Sequence, residues 1–116
     1  MITKLPQPIE TYFQASNSYD SEQFADCFAE NAVVRDEGKE YRGPAAIKKW
    51  IEAANNKLQV KTEVTAAVGQ NGETIVTATV SGNFEGSPIP LDFHFTVESQ
   101  KITALRILLA GVGDGE

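Results

Sequence analysis

Hydrophobic and polar positions divide the chain into two rhythms. In the first half, apolar residues recur at helical spacing. Pro8 suits a first helical turn, and Ile9, Tyr12, Phe13 and Ser16 then fall on one side. The stretch Asn17-Ser18-Tyr19-Asp20 interrupts that pattern, and Asp20 or Ser21 can cap a short second helix that buries Phe24, Cys27 and Phe28. Ala32 to Asp36 predicts a short strand, and Glu37-Gly38-Lys39 a turn. Gly43-Pro44 opens a third helix to about Asn56, with Ile47, Trp50, Ile51 and Ala54 inward. Beyond it the period drops to two. Strands are predicted over Val60–Val68, Thr74–Phe84, Leu91–Glu98 and Ile102–Leu109, with Gln70-Asn71-Gly72 and Glu85-Gly86-Ser87 as turns.

Helices first and a strand meander afterwards predict an α+β fold. The expected architecture is three N-terminal helices packed on a strongly curved, mostly antiparallel sheet that encloses a pocket. Residues 1–116 read as a single domain, with the glycine-rich, acidic 111–116 as a flexible tail.

Composition narrows the function classes. A net charge of -6 without a basic patch argues against binding a nucleic-acid backbone or an anionic membrane surface. The N-terminus lacks an apolar signal core, no run is long enough to span a bilayer, and a cytoplasmic protein is the expectation. The one cysteine, Cys27, reads as an apolar filler beside Phe24 and Phe28. With one histidine and no cysteine cluster, the ligand count for a zinc site is not met, so no metal is expected. Neither a phosphate-binding glycine loop nor a serine nucleophile elbow occurs, and no cofactor is expected.

Three stretches carry a resemblance. They are "TYFQASNSYDSEQFADCFAENAVVRDEG", "YRGPAAIKKW" and "IPLDFHFTVESQKITALRILLAG", and together they cover most of the chain. They resemble the nuclear transport factor 2-like superfamily, in its SnoaL-like and ketosteroid isomerase-like group. That fold hosts enzymes, binders and adaptors alike. Laid on the isomerase pattern, Tyr12 matches its first-helix tyrosine, Asp36 its general base at the end of the first strand, and Asp92 its protonated acid on the penultimate strand. The resemblance therefore implies a double-bond isomerase acting without a cofactor on a ketone-bearing apolar substrate. A carboxylate moves a carbon-bound proton while neutral donors hold the enolate oxygen.

Each residue also has a plainer role open to it. Asp36 is equally at home as a turn aspartate, and Tyr12 as a core aromatic. His94 shares a strand face with Asp92 and Thr96, opposite Leu91, Phe93, Phe95 and Val97. Leu91, Phe93 and Phe95 are expected to fill the outer face of the sheet, so Asp92 is expected to face the cavity. A homodimer contact through Leu91, Phe93, Phe95, Ile102 and Ala104 would then cover that face. The pocket lining is expected from Phe13, Phe28, Val34, Trp50, His94, Leu105, Ile107 and Leu109. The chain departs from the isomerase pattern at Ile51, where a supporting tyrosine would stand, and at Gly82, where an aromatic would line a steroid site. A smaller or more polar ligand follows. The alternatives are a SnoaL-like aldol cyclase using Asp92 with His94, and a non-catalytic ligand-binding or dimerisation module.

Overall fold

The computed structural model describes residues 5–36, 38–70 and 72–110. The expected tail at 111–116, and the turn residues Glu37 and Asn71, lie outside the described residues. Three helices, α1 (Gln7–Ser18), α2 (Ser21–Asp26) and α3 (Gly43–Leu58), pack on a sheet of six strands. The strands are β1 (Phe28–Asp36), β2 (Lys39–Arg42), β3 (Lys61–Gln70), β4 (Glu73–Ser81), β5 (Ile89–Glu98) and β6 (Lys101–Leu109). Their order across the sheet is β2-β1-β6-β5-β4-β3, antiparallel at every seam except β1 against β6. Irregular pairing in β1 between Phe28 and Val33, in β3 between Val64 and Ala66, and in β5 between Thr96 and Val97 bends the sheet. The result is an α+β cone. No helix among the described residues is long and apolar enough to cross a membrane.

Local chemistry explains the helix boundaries. Pro8 stands in the first turn of α1, and Tyr19 ends the helix in the left-handed region at φ 60°. Asp20 caps α2 by accepting the Gln23 N–H at 3.0 Å. The third helix runs two residues beyond the expected Asn56, to Leu58, and Gln59 closes it with a left-handed turn whose N–H reaches Asn55 O.

Two expected strands depart from the sequence pattern by three residues or more, each for a tertiary reason, and β2 stands where no strand is expected. β1 starts at Phe28 rather than Ala32, because Phe28 pairs with Ile102 and the Ile102 N–H bonds Cys27 O at 2.8 Å. β4 stops at Ser81 rather than Phe84. There the chain meets the end of α3: Asn83 N–H donates to Leu58 O at 2.7 Å, and a Cβ built on Gly82 would lie 2.7 Å from that same oxygen. Only glycine permits so close a backbone approach.

The register of β5 overturns one expectation. Leu91 stands opposite Leu109, Phe93 opposite Ile107, and Phe95 opposite Leu105. The two apolar stripes therefore share one face, and that face points at the helices. Phe93, Phe95 and Leu105 are buried with Tyr12, Phe13, Phe24 and Phe28 in the core, as is Ile102. Leu91, Phe93, Phe95 and Ile102 are thus not an outward dimer stripe. The cause is area: the aromatic side of the strand carries the larger apolar surface, so the helices cover that side.

Candidate functional site

A cavity of about 760 Å³ opens between the helices and the inner face of the sheet. That volume suits a small organic ligand. One wall is the end of α3, where Trp50, Ile51, Ala54 and Leu58 recur at helical spacing. Opposite it stand the sheet residues Val80, Leu91, Phe93, Ile107 and Leu109. Phe84 and Glu85, from the β4–β5 loop, complete the rim. The ring of Trp50 is stacked on Tyr41 of β2 at 5.6 Å, which steadies the α3 wall.

Two polar groups of this cavity come from α1 and β1, and Ser16, Arg35, Thr62, Glu85 and Arg106 also line it. From α1, Tyr12 enters among five phenylalanine rings, Phe13, Phe24, Phe28, Phe93 and Phe95, at centroid distances of 4.6 to 6.2 Å. Burial in that apolar setting pushes its phenol well above the usual range, and the negative charge of Asp36 and then Cys27 push the same way. The phenol is therefore neutral, and can donate, throughout the physiological range. At the end of β1, Asp36 is half-buried and lines the same cavity. Its strand position is held by Ile107 on one side and Lys39 on the other.

Asp92 and His94 do not join them. Both lie on the convex face of the sheet, away from the helices. The Asp92 carboxylate accepts a hydrogen bond from the Thr77 hydroxyl at 2.6 Å, on the neighbouring strand. His94 stands with Nδ1 3.7 Å from Glu73 Oε1, while Arg106 Nη2 pairs with Glu73 Oε2 at 2.9 Å. Asp92 is therefore not placed to donate to a ligand in this cavity. This is the correction that the β5 register forces: once Phe93 and Phe95 face the helices, Asp92 and His94 cannot.

Of the expected lining residues, Trp50, Ile107 and Leu109 are in place. Phe13, Phe28, Val34 and Leu105 are not part of the lining; they are buried in the core. Their role is support, since Phe13 and Phe28 pack on Tyr12 at 4.9 and 6.0 Å. Ile51 does line the cavity and leaves Tyr12 without a tyrosine partner from α3.

Several lining residues escaped the sequence reading, two of them with hydroxyls. Ser16 lies one turn beyond Tyr12 on the same helix face, and Thr62 comes from β3. The four-residue spacing from Tyr12 was the available signal for Ser16. Thr62 had none, because it arrives through a tertiary bond pair. Asn17 Nδ2 donates to Thr62 O, and Thr62 N–H donates to Asn17 Oδ1, both at 2.8 Å.

Comparison with known proteins agrees with the fold. Residues 9–105 match the model of the SnoaL-like domain. The chain is similar to a candidate polyketide cyclase from Sinorhizobium meliloti, with 35% identity and a TM-score of 0.86 over 89% of this chain and 94% of that one. It is also similar to a Catenulispora acidiphila protein of ketosteroid isomerase-like fold, crystallised with trimethylamine (16% identity, TM-score 0.81, covering 93% and 88%). A candidate ketosteroid isomerase from Kribbella flavida matches at 12% identity and TM-score 0.78, over 96% of this chain and 81% of that one. At such identities the last two speak for the fold alone. No curated protein matches the chain.

Proposed function

The chain belongs to the SnoaL-like family, and on that premise we propose that it is a cofactor-free acid/base catalyst for a small, largely apolar carbonyl compound, isomerase-like in its reaction. Asp36 takes a proton from the carbon beside the carbonyl, and Tyr12 donates a hydrogen bond to the oxygen as it becomes an enolate. Asp36 then returns the proton at a conjugated position, which shifts the double bond with no net change in atoms. The apolar walls limit loss of that proton to water.

One observation carries the reading. Tyr12 and Asp36, from separate elements, line one apolar cavity, and burial keeps the phenol neutral beside the carboxylate. With Asp92 on the convex face, the oxygen has a single phenolic donor from the original trio. A second reading, aldol cyclisation, begins with the same enolisation. It is favoured by the likeness at 35% identity to a candidate polyketide cyclase.

The test is ultraviolet absorbance of a conjugated enone formed from a β,γ-unsaturated ketone, with steroid and small cyclic substrates. Asp36→Asn should abolish turnover yet still bind a phenol as an enolate mimic. Absence of turnover by the unmodified protein, with phenol binding that ignores Tyr12→Phe, would leave a non-catalytic ligand carrier as the better account.

A homodimer belongs to the same proposal, on a different footing from the stripe expected above. The convex face carries the half-buried Val33, Ile75, Ala104 and Leu108 around the Glu73–Arg106 pair.

A further inference from the structure

Serines inside helices ordinarily turn their hydroxyl back on the preceding turn. Ser18 does so, donating to Gln14 O at 3.0 Å and lying 3.3 Å from Ala15 O. Ser16, two residues earlier, is different. It is buried at 5% exposure and lines the cavity, and no described residue bonds its hydroxyl. It is not one of the fully occluded, unpaired side-chain atoms either; among the described residues those are Asn55 Oδ1 and His94 Nδ1. The Ser16 oxygen therefore keeps its open side toward the cavity.

Tyr12 precedes Ser16 by one helical turn, and no described residue bonds its hydroxyl. Side chains at this spacing leave the helix on one face with Cβ atoms about 5–6 Å apart. The α1 wall thus offers the cavity two hydroxyls in a row, in a lining whose other polar residues, Arg35, Asp36, Thr62, Glu85 and Arg106, come from the sheet and the β4–β5 loop. The spacing is stiff. Asn17, next to Ser16, is tied to the backbone of Thr62 by two bonds of 2.8 Å, so the end of α1 is fixed to β3.

We infer that the substrate carries two oxygen functions separated by several bonds, the reacting carbonyl on Tyr12 and a second hydroxyl or carbonyl on Ser16. This rests on the enolising role proposed for Tyr12 and adds a specificity residue to it. A substrate oxygen at Ser16 sets which carbon lies over Asp36, because a two-point hold on α1 fixes both the position and the direction of the skeleton. Oxygens on adjacent atoms are too close together to span the two groups. A monofunctional ketone has only one anchor and can rotate about it.

The test is binding of simple phenols by calorimetry, with phenol itself as the one-oxygen probe. Resorcinol and hydroquinone supply a second hydroxyl at increasing separation, and catechol one that is too near. At least one of the two spaced diphenols should bind about five- to tenfold tighter than phenol, the size of one hydrogen bond. That gain exceeds the twofold that two equivalent ends provide, and catechol should not share it. In Ser16→Ala the preference ratio should fall to about the statistical value. Equal binding of phenol and both spaced diphenols by the unmodified protein would overturn the inference, and so would a preference that survives Ser16→Ala. Phenol binding that is unchanged by Tyr12→Phe would strike the enolising role instead, which separates the two failures.

Discussion

Replacing Tyr12 by phenylalanine separates a catalytic hydroxyl from a structural one. The substitution removes one oxygen and leaves the aromatic body, so the ring contacts with Phe13, Phe24, Phe28, Phe93 and Phe95 persist. No described residue bonds that hydroxyl, so no hydrogen bond among the described residues is lost. Stability should stay level or rise by up to about 1 kcal/mol, since a polar group leaves an apolar setting. For a domain of this size that is a midpoint increase of up to about 5 °C. Turnover should move the opposite way. A preorganised donor to a developing oxyanion in a low-dielectric site contributes about 10²–10³ in rate, and the variant should lose a factor in that range. Scanning calorimetry and the enone absorbance assay read the two effects on one preparation. A midpoint lowered by more than about 5 °C with turnover preserved would show that the hydroxyl holds the fold and does no chemistry.

Other expectations come from single contacts. Gly82→Ala places a methyl 2.7 Å from Leu58 O, which already accepts the Asn83 N–H. Urea unfolding should show a loss of about 2–3 kcal/mol from overpacking and the strained bond; a loss under about 0.5 kcal/mol would mean the hairpin moves freely. Burial pushes the Cys27 thiol up to about 11 from its usual 9.0. A raised folded value means the unfolded chain releases its proton first, so this stabilisation is complete below pH 9 and fades as pH climbs toward 11. Cys27→Ala should flatten the stability profile between pH 9 and 10, while the buried Tyr12 phenol keeps a decline above pH 10 in place. Light scattering at micromolar concentration should find a dimer, and Ala104→Glu on the convex face should disperse it; a monomer in the unmodified protein ends that proposal. Asp92→Asn, remote from the cavity, should alter turnover by less than twofold, and a loss resembling that of Asp36→Asn would return Asp92 to the site.

Much of the architecture is readable from period alone. The switch from helical to alternating spacing after α3 locates the sheet, and Tyr12 and Asp36 emerge from the family pattern as a pair that the fold brings together. Orientation is the part that alternation withholds. In Leu91 to Val97 the pattern separates two faces without saying which is inside, and a flip of the strand satisfies it equally well. Weighing areas instead of chemistry decides the matter, because two phenylalanines need the helices more than one aspartate needs a cavity. The walls from Phe84 and Thr62 are invisible for another reason. They depend on the Gly82–Leu58 approach and the Asn17–Thr62 bonds, which join residues far apart along the chain.

The parallel seam between β1 and β6 has a consequence for the order in which the molecule can assemble. Asp36 sits on an early strand, yet one of its two lateral supports is Ile107, near the end of the chain's last strand, and the seam begins where Ile102 N–H meets Cys27 O. The β3–β4 and β5–β6 hairpins can close locally. The seam must wait for nearly the whole chain, and closing that long loop costs entropy before any contact offsets it. On a ribosome the helices and the first hairpin can form while the strand that carries Asp36 still lacks β6. The Asp36 carboxylate then reaches its place in the cavity among the last events of folding, so a nascent or truncated chain that has not added β6 should lack the activity proposed for it.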